Sequence, residues 1–237
     1  MIEISGLSKS FGRVTVLDGL DLKVEPGRVM GVVGPNAVGK TTLLKLVLGL
    51  MRPDAGRIVV DGREADGNGA YRARLGYMSQ ITAFPERLTG YDCLALLKDL
   101  RGAAAELDEE LIGRFNLAGH LEKPLRTLSG GTRQKVNAVM AFLFNPAVII
   151  LDEPTASLDP LSSSILKDKI AAERSRGRTI LVSSHLMGEL EELADDVAVL
   201  LDGRVRFVGE VDRIKRLTRQ PNLERAVAQM MIREVAA

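Results

Sequence analysis

The sequence predicts an α/β fold built around a phosphate loop, with a helical insertion between Gln80 and the strand at Ile149. Three observations carry this expectation. Gly34-Pro35-Asn36-Ala37-Val38-Gly39-Lys40-Thr41 matches the pattern G-x-x-x-x-G-K-[ST]. The loop lies between Val29-Met30-Gly31-Val32-Val33, apolar and β-branched like a buried strand, and Thr41 to Leu50, apolar on nearly every side like a buried helix. From about Thr82 to Asn145 the apolar spacing becomes helical, and the continuous run Ala147 to Leu151 then returns to a strand.

Taken in order, Ile2 to Leu7 and Leu20 to Val24 alternate as half-buried strands do, with Phe11-Gly12 in a turn-like stretch between them. Glu25-Pro26-Gly27 is a turn, and the loop strand and helix follow. Pro53-Asp54-Ala55-Gly56 predicts a turn, Arg57 to Val60 a short strand, and Asp61-Gly62 a second turn. Leu75 to Ser79 predicts a strand ending at Gln80. Helices are expected at Tyr91 to Leu100, at Asp108 to Phe115 and from Leu128, the last stopped by Asn145-Pro146. Leu161 to Arg176 and Leu186 to Ala194 read as helices on either side of the strand Thr179 to Ser183. Val197 to Leu201 and Arg204 to Val208 predict a hairpin around Asp202-Gly203, and Asn222 to Val235 a C-terminal helix.

Bulk properties narrow the classes. A chain of 237 residues buries a core easily. A net charge of +1 gives no strong field toward nucleic acid or anionic membrane. Cys93 is the lone cysteine, which suits a reducing compartment. The chain starts on a strand-like pattern rather than a signal peptide. No apolar run reaches the roughly 18 residues of a membrane span. A membrane role is therefore expected to act through a partner.

The chemistry follows from strand ends. Backbone N–H groups of the loop and the helix dipole favour a phosphate there. Lys40 is placed to neutralise β- and γ-phosphates, and the Thr41 hydroxyl to ligate Mg²⁺. In a parallel sheet, ligands bind beyond the carboxyl ends of strands. Asp152 and Glu153 end one such strand, Asp152 suited to Mg²⁺ and Glu153 to polarising a water. His185 ends another and could hold phosphate and water in register, or serve structure alone. Ser129-Gly130-Gly131 opens a second anion-ready helix start, which either caps its own helix or serves a nucleotide shared across a dimer.

The order and spacing of residues 34–41, Gln80, Leu128-Ser129-Gly130-Gly131, Asp152-Glu153, Ser157-Leu158-Asp159 and His185 resemble those of ABC transporter ATPase subunits, from Ile2 to about Glu210. The resemblance implies a P-loop NTPase core with a mixed sheet, an N-terminal antiparallel β subdomain and an inserted helical subdomain. It implies one domain over 1–237: a core formed by 1–81 and 146–209, a signature subdomain at 82–145, and a helical tail at 210–237. ATP and Mg²⁺ are the implied cofactors. Residues 34–41 with Thr42 would hold phosphates, Phe11 would stack on adenine, and Gln80 would link Mg²⁺ and the attacking water to the helical subdomain. Ser129, Gly130 and Gly131 of one subunit would face the P-loop of another, Asp159 would act across that dimer, and His185 resembles the switch histidine. The implied partners are a permease and a second ATPase subunit, at the cytoplasmic face of a membrane, with no nucleic acid.

Three departures from the family stand out. Ala37 occupies a usual glycine position, which costs about 1 kcal/mol if φ is positive there. Thr132 replaces the usual signature glutamine. The tail from Pro221-Asn222-Leu223-Glu224 resembles subunits serving ABC-2 type exporters, including those associated with nitrous oxide reductase maturation, where copper or sulfur delivery is proposed. Soluble ABC proteins of ribosomes or DNA, the alternative class, usually carry two such domains or a long coiled-coil insertion. This chain has one Lys40-type loop, one signature and no heptad run. A nucleotide sensor without catalysis is a second alternative, which the presence of Glu153 and His185 opposes.

Overall fold

Residues 29–33, 148–152 and 179–183 are buried along their whole length, because both faces of their sheet are covered. The computed structural model describes residues 1–65, 69–82, 84–85, 87–102 and 106–235, with side chains through Ile232. Residues 83, 86 and 103–105 of the expected helical insertion, and 236–237 of the tail, lie outside the described residues.

The N-terminal part holds β1 (Ile2–Phe11), β2 (Val14–Val24), β3 (Val29–Val33), α1 (Lys40–Val47), β4 (Ala55–Val60), β5 (Arg63–Glu64) and β6 (Leu75–Met78). The helical stretch follows as α2 (Gly90–Arg101), α3 (Glu110–Arg114), α4 (Ala118–Leu121) and α5 (Gly130–Phe142). The chain then runs through β7 (Val148–Asp152), α6 (Pro160–Ser175), β8 (Thr179–Ser183), α7 (Met187–Leu193), β9 (Asp196–Leu201) and β10 (Arg204–Glu210). It closes with α8 (Val211–Thr218) and α9 (Leu223–Val235).

Two sheets result. One is antiparallel with order β2-β1-β4-β5; the other is mixed with order β10-β9-β3-β8-β7-β6. In the mixed sheet, β9, β3, β8, β7 and β6 run parallel, and β10 pairs antiparallel with β9. Strand alternation sorts the mixed sheet into two cores. Met30, Val32, Val148, Ile150, Leu181, Ala198 and Leu200 face α1 and the antiparallel sheet. Val29, Ile149, Leu151, Ile180, Val182, Val197 and Val199 face the helical layer that includes α5, α6 and α7.

Several boundaries differ from expectation. β1 and β2 are longer, and Phe11 ends β1 rather than sitting in a turn. Register shifts between Ile4 and Leu7 interrupt the alternation that would have revealed their length. α1 stops at Val47 instead of Leu50. Gly49, at φ 64, closes a Schellman end in which Gly49 N–H donates to Leu46 O and Leu50 N–H to Lys45 O. α8 falls within the helical tail expected at 210–237; Val211, Ile214 and Thr218 of its eight residues are buried.

The parallel register decides function. Val33, Met78, Asp152 and Ser183 all end strands at one edge of the sheet. The loops after β3, β6, β7 and β8 therefore gather there. β8 stands between β3 and β7, so the histidine strand separates the phosphate loop from the carboxylate strand.

Candidate functional site

The phosphate loop wraps the N-terminus of α1. Gly39 caps the helix at φ 109, and a Cβ there would sit 2.9 Å from the Leu17 side chain and 3.1 Å from Val16 O. Ala37 has φ 63, the left-handed value that only glycine takes without strain. Lys40 Nζ donates to Gly34 O at 2.8 Å and Pro35 O at 3.0 Å, which holds the ammonium over the loop. Burial lowers the Lys40 pKa, against the pull of Glu153 and Asp152.

A cavity of about 590 Å³ opens beside this loop, within the size range of small-molecule sites. Asn36, Ala37, Gly39, Lys40, Thr41 and Thr42 line one side. Gln80, Asp152 and Glu153 reach it from the ends of β6 and β7, and Phe11 and Val16 from the antiparallel sheet. Phe11 is 49% exposed, with Lys9 Nζ 5.7 Å from its ring centroid. Val16 was not anticipated, because nothing in its sequence surroundings distinguishes it from an ordinary strand residue.

Asp152 is buried and accepts from Ser183 Oγ through Oδ1. Glu153 follows at φ 50, a strained value held by Glu153 N–H to Ser183 O at 3.0 Å and Ala156 N–H to Glu153 O at 3.1 Å. Its Oε2 lies 2.8 Å from His185 Nδ1 and accepts from Ser184 Oγ at 3.2 Å. His185 is thus joined to the cavity through Glu153 and does not line it. Ser184 went unrecognised, although the run Ser183-Ser184-His185 at a strand end was its signal. Tyr77, one strand over on β6, has its hydroxyl pKa pushed up to about 12 by burial and by Asp152.

Gly34, Pro35 and Val38 belong to the loop without lining the cavity. Ser129, Gly130, Gly131 and Asp159 also lie apart from its lining. Ser129 caps α5, its Oγ accepting from Thr132 N–H at 3.2 Å and pairing with Thr132 Oγ1 at 2.9 Å. Asp159 caps α6. The backbone N–H and hydroxyl of Ser162, and then Lys135, hold its carboxyl well below the usual range. Lys135 Nζ stands 2.9 Å from Asp159, so the starts of α5 and α6 are tied together on one surface.

A mixed sheet carrying a phosphate loop, with an antiparallel sheet and a helical insertion, is the fold of a P-loop NTPase. A family profile described as ABC transporter matches residues 17–156. The daunorubicin resistance ATP-binding protein DrrA3 of Streptomyces coeruleorubidus is 39% identical over 223 residues, covering 92% of this chain and 70% of that one. A solved ATP-binding subunit of an ABC transporter superposes with TM-score 0.91 at 30% identity, covering 98% of this chain and 99% of that one. The dimeric ATP-binding cassette MJ0796, solved with ADP and Pi, has TM-score 0.80 at 22% identity over 89% of this chain and 98% of that one, a likeness of fold. The chain belongs to the ABC transporter family, as an ATP-binding and ATP-hydrolysing subunit.

Proposed function

We propose that this subunit pairs with a second ATPase subunit around two ATP molecules and drives a separate membrane permease, in the direction of export. The observation that supports it most is the separation of two anion-ready helix starts. Lys40 lies at the chain's own cavity, while Ser129, Gly130 and Gly131 lie outside its lining. A partner's γ-phosphate would give the second start its anion.

Within one subunit, the loop amides and Lys40 would hold the phosphates, and Phe11 the adenine. The donor set fits a hard divalent cation, since Thr41, Gln80 and Asp152 offer a hydroxyl, an amide carbonyl and a carboxylate. Magnesium held there would offset the charge of the phosphates. Glu153 would orient and deprotonate the attacking water, with His185 and Ser184 fixing its carboxylate. After hydrolysis the charge held by the partner's Ser129-type loop is lost, and the pair reopens.

No described helix is long and apolar enough to cross a membrane. Attachment to the cytoplasmic face would therefore come through the permease. Export is supported by the tail's resemblance and by the drug-resistance role named for the Streptomyces relative.

The binding half of the proposal is tested by Lys40→Ala. Removing a charge-assisted contact to phosphate is expected to raise the ATP Kd by about 10- to 100-fold in titration calorimetry. An unchanged affinity would contradict the placement of phosphates at the loop.

A further inference from the structure

We infer that Asn137 is a positioning residue, tying the corner that carries Gln80 to the helix that starts at Ser129. The inference rests on the reading above, in which Gln80 serves the chain's own nucleotide and Ser129 its partner's.

Asn137 lies inside α5 at 5% exposure, on a helix whose inner face is otherwise largely apolar. Its Nδ2 donates to Ser79 O at 2.8 Å and to Gln134 Oε1 at 3.3 Å. Gln134, equally buried, sends Nε2 toward Pro154 O at 3.5 Å. Ser79 precedes Gln80, and Pro154 follows Glu153. Two amides of one helix thus touch both backbone corners beside the cavity.

The rest of α5 is fitted to β6 in the same way. A Cβ on Gly76 would fall 2.0 Å from Ala141 O, so strand and helix meet at backbone distance. From Ser129 to Asn137 the helix rises about 12 Å at about 1.5 Å per residue. A helix transmits such a displacement stiffly, and a buried amide left unpaired is costly. Movement of the Ser129 end on meeting a phosphate is therefore passed to Ser79 and Gln80. Engagement of one nucleotide sets the geometry around the other.

A double-mutant cycle in the full chain tests this, read by single-turnover ATP hydrolysis. Asn137→Ala is expected to slow hydrolysis about tenfold, the order set by one buried hydrogen bond, with ATP Kd unchanged. In a Gln80→Ala background the same change is expected to cost less than about twofold. A wild-type rate in Asn137→Ala, or an equal loss with and without Gln80, overturns the inference. Asn137→Asp, alike in shape but unable to donate to Ser79 O, repeats the cycle if the alanine variant does not fold. Failure of both to fold makes Asn137 a core residue and also overturns it. Hydrolysis that Glu153→Gln stops but Asn137→Ala spares would remove this inference alone, whereas an inactive wild-type chain would remove the underlying reading with it.

Discussion

Glu153→Gln is expected to lower steady-state ATP hydrolysis by about 10²- to 10⁴-fold, the range of a lost general base, while ATP affinity stays at the wild-type value. The substitution keeps the side chain's shape. The strained backbone at Glu153 and its bond to Ser183 O are main-chain features that glutamine retains. What changes is the atom 2.8 Å from His185 Nδ1 and 3.2 Å from Ser184 Oγ. A carboxylate there takes a proton from water; an amide does not. Lys40, Thr41 and the loop amides are untouched, which is why binding survives. Rates from a coupled phosphate-release assay, set beside calorimetric Kd values, separate the two effects. An unimpaired rate would remove Glu153 from the role assigned to it.

Lys169→Met is expected to destabilise the fold by about 3–5 kcal/mol, the cost of stripping one partner from a buried ion cluster. Lys169, on α6, is fully buried. Its Nζ lies 2.5 Å from Asp108, 2.9 Å from Glu110 and 3.1 Å from Glu173. Asp108 and Glu110 sit at the start of α3, so the cluster bolts the helical insertion onto the core. Methionine fills the space of the stem and leaves Glu173, 2% exposed, with Arg176 at 2.7 Å as its nearest cation. Burial alone would lower the Lys169 pKa, but the three carboxylates outweigh it and the net shift is upward. A raised lysine pKa contributes stability that is present below the ordinary value of 10.5 and lost as pH rises through the folded-state value. The cluster is therefore at full strength near neutral pH, where urea denaturation should register the loss. A shift within about 0.5 kcal/mol, the size of a surface change, would contradict this role.

What the sequence revealed follows the strength of its physical signals. β3 and β8 were legible to the residue because strands covered on both faces carry apolar runs, here Val29 to Val33 and Ile180 to Val182. The meeting of Lys40, Asp152 and Glu153 at one cavity was legible because a glycine-bearing loop and an acid pair each follow a continuous apolar strand. The end of α1 was misplaced, though Gly49 marked it, because Leu48 and Leu50 extended the apolar run past a stop. α8 was legible only as part of a helical tail, because three buried residues spread over eight positions give a weak periodicity. Asn137 stood in the sequence only as a polar interruption of an apolar helix. Its partner Ser79 is 58 residues away, and no local pattern records such a bond. Likewise Lys169 reads as a surface charge until the fold brings Asp108 to it from 61 residues upstream.

The pairing of two subunits around ATP is tested most directly by sedimentation of the Glu153→Gln protein with and without magnesium ATP. The expected result is a monomer without nucleotide and a dimer holding two ATP molecules with it. A protein that binds ATP and still sediments as a monomer would contradict the shared-nucleotide mechanism.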